Sequence, residues 1–173
     1  MRRTALWLAV ILAVIAVGMF TFLTRSIRSQ KVNQKLEKGL GDLMGARAAL
    51  EDYAKATGLP FAPAEDGSLP PEYVEHFAAM RGGQPYYREL GRYSRLDVFS
   101  PGKPYKEPLA YFVRESIWLL VSRGPDGAFQ VPPTILNDET EQADLVDRLL
   151  TLSYDPTNGA ESSGDLWMSN AIK

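Results

Sequence analysis

The stretch LAYFVRESIWLLVSR, residues 109–123, contains two short runs of aromatic and branched apolar side chains. Residues 109–114 and 117–123 form these runs, and only two residues separate them. Side chains of these types favour β-strands, and so short a connection is typical of a hairpin. The stretch therefore predicts an antiparallel pair of strands. Its aromatic residues Tyr111, Phe112 and Trp118 are expected in the core, packed against a long helix.

The residues that follow the hairpin predict a third strand and a helix. In SRGPDGAFQV, residues 122–131, the segment from Gly124 to Gly127 indicates a turn, and residues 128–131 indicate a short strand. In NDETEQADLVDRLLTL, residues 137–152, an acidic first turn precedes apolar residues at helical spacing. We therefore expect a small antiparallel sheet followed by an amphipathic helix.

Two helices are predicted before the hairpin. SIRSQKVNQKLEKGLGDLMGARAALEDYAKATG, residues 26–58, carries an apolar stripe at steps of three or four residues and their multiples. The stripe consists of Val32, Leu36, Leu40, Leu43, Leu50 and Ala54. A shorter helix begins after Pro70 and Pro71 and stops at Gly82. The basic and aromatic residues 81–103 are interpreted as a solvated loop.

The amino-terminal residues MRRTALWLAVILAVIAVGMFTFLTR, residues 1–25, contain no charge between positions 4 and 24. At helical rise this run is about 30 Å long, which matches the apolar core of a bilayer. The run predicts a transmembrane anchor and a single-pass protein of the cytoplasmic (inner) membrane, with its head in the periplasm or outside the cell. The alternatives are a removed secretion signal and a buried helix.

Composition excludes some classes of function. The formal net charge is −2 and the isoelectric point is about 5.5, so the chain has no basic surplus for binding nucleic acid. Cysteine is absent, which excludes disulfides and thiolate metal sites. The sequence contains no nucleophile, metalloprotease, P-loop or dinucleotide motif. Its single histidine, His76, has no evident partner in the sequence. We therefore do not expect an enzyme, although carboxylates such as Glu72, Glu75 and Asp97 permit acid–base chemistry.

Three stretches resemble the major pseudopilin of type II secretion systems, a type IV pilin-like protein. ARAALEDYAKATGLPFAP, residues 46–63, resembles the end of that family's long helix. LDVFSPGKPYKEPLAYFVRESIWLLVSRGPDG, residues 96–127, resembles its hairpin and the turn that follows. YDPTNGAESSGDLW, residues 154–167, resembles its carboxyl-terminal segment and is the most specific of the three.

The resemblance implies an α+β, pilin-like fold in which a long amino-terminal helix packs on a small antiparallel sheet, with short helices and a carboxyl-terminal loop. It divides the chain into a transmembrane anchor (residues 1–25), an amphipathic continuation (26–58) and a globular head (59–173). Family members polymerise into a short periplasmic filament that serves protein secretion. The expected function is therefore that of a structural subunit, with like subunits and the secretion machinery as partners.

An alternative is a monomeric, membrane-anchored extracytoplasmic domain that binds a ligand or acts as a sensor. Two departures from the family pattern bear on this choice. Only three residues precede Thr4, where the family has a basic leader, so processing by a leader peptidase is not expected. The apolar run also lacks the glutamate that pairs subunits in the family.

The carboxyl-terminal stretch also predicts a calcium site. Calcium binds six to eight oxygens from carboxylates, carbonyls and hydroxyls on a loop that folds around it. The family holds calcium in its carboxyl-terminal loops, and the resemblance places Asp126 and Asp165 in the matching turn and loop. The candidate ligands are Asp126, Asp155, Asn158, Ser162, Ser163 and Asp165. The alternative is that these residues form turns only, because their side chains also bond their own backbone.

Overall fold

The computed structural model describes the backbone of residues 2–101, 107–136, 142–158 and 162–171 and the side chains of residues 14–101, 107–136, 144–157 and 162–171. The described elements are α1 Arg2–Thr57, α2 Glu72–Met80, α3 Pro85–Ser94, β1 Ala110–Arg114, β2 Ile117–Ser122, α4 Gln142–Thr151 and β3 Leu166–Ser169. The fold is therefore α+β, with a long amino-terminal helix and a small antiparallel sheet, which confirms the coarse class expected from the sequence. The chain divides into two compact units, Met1–Gln34 and Lys35–Lys173.

The sheet has the order β1-β2-β3, with both pairs antiparallel. The predicted hairpin is confirmed: Ala110 pairs with Val121 and Arg114 pairs with Ile117. Glu115, in the two-residue connection, has a φ of 54°, the left-handed conformation that tight hairpin turns need. The third strand, however, is β3, which pairs Leu119 with Ser169 on the other side of β2.

The predicted third strand at residues 128–131 is wrong, because carboxylates bind the backbone N–H groups that a strand would use. Ala128 donates its N–H to Asp126 Oδ1 over 3.1 Å. Gln130 and Val131 donate theirs to Asp165 Oδ2 over 2.8 and 2.7 Å. These donors are satisfied without a neighbouring strand.

One face of the sheet packs on the carboxyl-terminal part of α1. Leu43 and Leu50 of α1 are fully buried in one cluster with Tyr111 and Trp118 of the hairpin. Of the predicted stripe, Leu43 and Leu50 belong to this cluster and Leu36 packs against it, whereas Leu40 is 43 % exposed. Gly39 is buried instead, and a Cβ there would lie 3.1 Å from Val98 Cγ2, so Val98 would have to shift slightly to accommodate a side chain.

The other face of the sheet is covered by α4 and the segment before it. Leu119 and Val121 of β2 alternate with Trp118 and pack in a second cluster with Leu145 and Leu149 of α4. Phe112 packs against this second cluster, so the expectation that it lies against the long helix is wrong. The head therefore has three layers, with the sheet between two helices, α1 and α4.

A helix occupies part of the stretch that sequence analysis assigned to a solvated loop. α3 begins at Pro85, a favourable first residue for a helix, and packs on α2. A Cβ at Gly91 of α3 would lie 3.2 Å from Phe77 Cδ1 of α2, so the absence of a side chain permits the close approach. Buried Tyr73 and Ser94 join the two helices through a 3.2 Å hydroxyl hydrogen bond. Packing in the folded head, not local polarity, therefore determines that this segment forms a helix.

The prediction of a single-pass membrane protein is contradicted. Within the part of the chain that the structure describes, none of the helices combines the length and the apolarity that crossing a bilayer requires. Side chains are described only from Val14 onward, and the uncharged run from there ends before Arg25.

Leu43 and Met44 provide a matched test of the α1–sheet contact. Leu43 is fully buried, whereas its neighbour Met44 is 62 % exposed. We expect Leu43→Ala to lower the free energy of unfolding by about 2–5 kcal/mol, because it leaves a cavity in a packed core. Met44→Ala should change it by less than about 0.5 kcal/mol. Urea unfolding followed by tryptophan fluorescence measures both, and equal losses would contradict the described orientation of α1.

Candidate functional site

The turn after β2 and the carboxyl-terminal loop cross where two glycines meet. A Cβ at Gly124 would clash with the carbonyl oxygen of Gly164. Gly164 has a φ of 122°, and a Cβ there would lie 2.5 Å from the carbonyl oxygen of Ser153. Only glycine fits at both positions. The crossing explains why glycine occupies these two positions, and it brings Asp126 and Asp165 into one region.

Asp165 binds the loop that follows the turn. Its side chain is 1 % exposed, and its Oδ2 accepts the N–H groups of both Gln130 and Val131. Asp126 binds the same loop from the solvent side, since its Oδ2 accepts Gln130 Nε2 over 2.8 Å. Asp165 Oδ1 is buried and has no hydrogen-bond partner among the described residues. The two carboxylates thus share Gln130 as a partner.

The other candidate ligands are arranged differently. Asp155 Oδ1 accepts both the N–H and the hydroxyl of Thr157, which closes a local turn. Ser162 donates its hydroxyl to the carbonyl oxygen of Asp155 over 2.8 Å. Ser163 is exposed, and Asn158 ends the short 3₁₀ turn Pro156–Asn158, with its side chain outside the described residues. The contacts of Asp155 and Ser162 lie within the loop itself, as the alternative of turns alone predicts.

A third carboxylate, Asp97, contributes to the region although sequence analysis did not assign it there. Its side chain is fully buried and accepts three hydrogen bonds, from the N–H of Phe99, the hydroxyl of Ser122 and the N–H of Arg123. Asp97 therefore ties the end of β2 to the segment before the hairpin. The only sequence signal is its position in LDVFS, where one aspartate stands among apolar residues.

Burial controls the protonation of these carboxyl groups. Loss of solvent raises the pKa of Asp165 to about 6, against two N–H donors that lower it, and the nearby charges of Asp126 and Asp97 raise it further. Burial also raises the pKa of Asp97 above its usual range, although its three hydrogen bonds oppose the shift. Hydrogen bonds from Thr157 lower the pKa of exposed Asp155. Folding therefore favours the protonated form of Asp165 more than the unfolded chain does.

The described residues do not assemble the predicted calcium shell. Across the described ranges, no group of three or more histidine, aspartate or glutamate side chains is placed to hold a metal ion. Asp126 and Asp165 come together, but three of their four oxygens already accept N–H groups, which leaves Asp165 Oδ1. The turn interpretation accounts for the observed contacts, and calcium binding stays a prediction.

A second candidate site is the surface of the amino-terminal unit. From Val14 to Ile27, eight large apolar side chains are between 51 % and 73 % exposed. At 100° per residue they are distributed all round the helix. They are Val14, Ile15, Val17, Met19, Phe20, Phe22, Leu23 and Ile27. Exposed apolar surface of this extent marks a contact with another molecule.

The raised pKa of Asp165 predicts a specific pH dependence of stability. Its folded pKa is about 6 and its ordinary value is 3.8, so its contribution is complete below about pH 4 and is lost as the pH rises through 6. The free energy of unfolding of the parent chain should therefore fall by on the order of 2 kcal/mol between pH 4 and pH 7 because of this group. We expect Asp165→Asn, measured in chelator, to abolish this fall. Asp155→Asn is the control, since the pKa of Asp155 is shifted in the opposite direction, so its carboxyl does not lose stability as the pH rises.

Urea midpoints at half-unit pH steps measure the difference between each variant and the parent chain. If Asp165→Asn and Asp155→Asn had the same pH profile, burial of Asp165 would not govern its protonation.

Calcium binding is tested by thermal unfolding at pH 7 in calcium, in magnesium and in chelator. If the loop binds calcium, calcium alone raises the unfolding temperature, because a ligand that binds only the folded state stabilises it. Asp165→Asn should then abolish the rise, since Asp165 Oδ1 is the oxygen still without a partner. Three superimposable melting curves would leave turns as the whole account of this loop.

Comparison with known proteins gives no match: the chain matches no family model, no curated protein and no solved structure. The resemblance to major pseudopilins therefore rests on the three stretches at residues 46–63, 96–127 and 154–167.

Proposed function

We propose that this chain is a structural subunit of a pilin-like assembly, of the kind that forms the pseudopilus in type II secretion. It acts by assembly and contact, with copies of itself or other pilin-like subunits and with the secretion machinery as partners, and it catalyses no reaction. The observation that carries the proposal is the exposed apolar surface of residues 14–27.

The distribution of apolar side chains around the helix indicates what kind of partner covers this surface. A helix with one apolar stripe is buried on one side, whereas a helix that is apolar all round is buried on every side. Residues 14–24 carry no charge, and Phe20 and Phe22 are 69 % and 73 % exposed. Several neighbouring helices can cover such a segment at once, as in the centre of a helical filament.

The polar groups of the segment support burial among apolar neighbours. Thr21 donates its hydroxyl to the carbonyl oxygen of Gly18 over 2.9 Å. Thr24 donates its own to the carbonyl oxygens of Phe20 and Thr21, over 3.0 and 2.9 Å. Because these hydroxyl donors are satisfied within the helix, packing another helix on them leaves no donor unpaired. Residues 14–24 contain no charged side chain, and Arg25 follows them directly.

The head gives independent support. The carboxyl-terminal part of α1 packs on a three-stranded antiparallel sheet, which is the arrangement expected for a pilin-like subunit. Its two clusters include the large apolar side chains of the sheet, of which Trp118 and Leu119 are fully buried. A head that has closed its own core leaves the amino-terminal unit as the larger apolar surface for assembly.

Engineered cysteines test the assembly directly, because the chain has none of its own. Val17 is 63 % exposed in the amino-terminal unit, and Glu65 is exposed in the head. We expect Val17→Cys to give a disulfide-linked dimer on mild oxidation in cells, since like helices pack together in the assembly and one cysteine per chain forms one disulfide. Glu65→Cys, the matched control, should give mainly monomer. Equal yields from both would indicate random collision.

A charge placed in the segment provides the second test. Phe20→Asp should shift the full-length chain from oligomer to monomer in sedimentation velocity, because burying an unpaired carboxylate among apolar helices is costly. Leu150→Asp is the control, since Leu150 is an apolar residue of the head that is 59 % exposed. A parent chain that sediments as a monomer would reject assembly and favour the monomeric ligand-binding alternative.

A further inference from the structure

Two tyrosines of α3 are largely exposed to solvent. Tyr86 is 68 % exposed and Tyr93 is 51 % exposed. They are seven residues apart, which is almost two helical turns, so both project from the same face of α3. Exposed Glu89 and half-buried Leu90 lie between them on that face. We call these four residues the tyrosine strip.

The packing of α3 keeps the strip turned to solvent. Gly91 and Ser94 are buried on another side of the helix, where Ser94 binds Tyr73 of α2. The ring of Tyr87 meets the ring of Tyr86 edge-on, with 5.3 Å between their centres, and so supports it. The strip therefore offers two flat apolar ring faces, each with a hydroxyl group at its edge.

The charges of α3 favour an uncharged partner. Glu89 forms an ion pair with Arg92, and Arg88 forms one with Glu75 of α2. These pairs include all three charged side chains of α3. An acidic partner would meet the carboxylate of Glu89 within the strip, and a basic partner would compete with Arg92 for it.

The two arginines that flank α3 are bound to the head. The guanidinium carbon of Arg81 lies 4.9 Å from the centre of the Phe77 ring of α2. Arg95 donates an Nη2 hydrogen bond to the carbonyl oxygen of Leu69. Both guanidinium groups therefore contact other parts of the head and not the strip.

The spacing of the two rings indicates which uncharged partner fits. Seven residues separate Tyr86 from Tyr93 by about 10.5 Å along the helix. The C–H face of a sugar ring is apolar, so stacking it on a tyrosine ring removes both surfaces from water. In an extended β-1,4-linked glycan, alternate sugar rings repeat in the same orientation at nearly this distance. The sugar ring between them lies over Leu90 and Glu89, whose carboxylate accepts hydrogen bonds from sugar hydroxyls.

We propose that the tyrosine strip binds an unbranched β-1,4-linked polysaccharide, with alternate sugar rings stacked on Tyr86 and Tyr93. This function goes beyond assembly and does not depend on it, because the strip belongs to the unit Lys35–Lys173. Chains of glucose and chains of N-acetylglucosamine share this linkage geometry, and the experiment distinguishes them.

The test compares cellohexaose, chitohexaose and maltohexaose on the full-length chain. The first two are β-1,4-linked and extended, whereas the α-1,4-linked maltohexaose coils, so its alternate rings do not share a plane. Saturation-transfer NMR observes the sugar and tolerates an assembled protein. We expect at least one β-linked hexasaccharide to bind with a Kd of about 1 mM, because the contact area is small. Maltohexaose should bind at least about tenfold more weakly.

Four variants of the two tyrosines locate the binding. Tyr86→Ala and Tyr93→Ala should each weaken the β-linked hexasaccharide at least about fivefold, because each removes one stacking face. Tyr86→Phe and Tyr93→Phe are the matched controls, since they keep the ring, and should stay within about twofold of the parent chain. Both side chains are exposed, so none of the four should change the unfolding temperature measurably.

Three results would overturn the proposal. They are no saturable binding of either β-linked hexasaccharide at about 10 mM, equal binding of maltohexaose, or parent-like binding by both alanine variants. Sedimentation of Tyr86→Ala provides one more test. If this variant lost self-association and kept its sugar affinity, the strip would bind a second copy of the chain and not a glycan. Assembly through residues 14–27 is tested separately, and its failure would leave the sugar titrations unchanged.

Discussion

Burial of one α1 stripe beneath the hairpin is the contact on which the rest of the head depends. Leu43 and Leu50 are fully buried against a cluster that includes Trp118, also fully buried. Both faces of the three-stranded sheet carry large apolar side chains, so each face needs a layer packed on it. Because α1 covers one face, the alternate side chains Leu119 and Val121 must be covered by other elements. α4 and the segment before it provide that second layer.

In this layered arrangement, some connecting segments have no neighbouring strand to pair with. Buried carboxylates accept hydrogen bonds from the backbone N–H groups of these segments. Asp97 and Asp165 each accept backbone N–H groups from segments that are distant in sequence, such as those of Arg123 and Val131. A carboxylate can accept several such bonds in a geometry that no ladder imposes. The cost is burial of an ionisable group, which appears as the raised pKa of both residues. Stability of the loops is therefore coupled to pH.

Local patterns predicted the elements whose partners are near in sequence. The hairpin at residues 109–123 and three residues of the predicted α1 stripe, Leu36, Leu43 and Leu50, follow from side-chain patterns that are visible without the fold. Elements that depend on distant partners were missed. Residues 128–131 have the composition of a strand, but Asp165 binds their N–H groups, and β3 occupies the vacant edge. The helix α3 depends on Gly91 packing against Phe77, a contact that a single sequence does not reveal.

The calcium prediction illustrates the same limit in a functional site. Oxygen-bearing side chains beside glycines are what a calcium loop requires, and they are also what a loop needs to satisfy its own backbone. Asp155 accepts the N–H of Thr157, and Asp165 accepts those of Gln130 and Val131, so the same residue types serve the second purpose. Only geometry separates the two uses. The oxygen that distinguishes them is Asp165 Oδ1, because a buried acceptor without a donor is costly unless the group is protonated or bound to a cation.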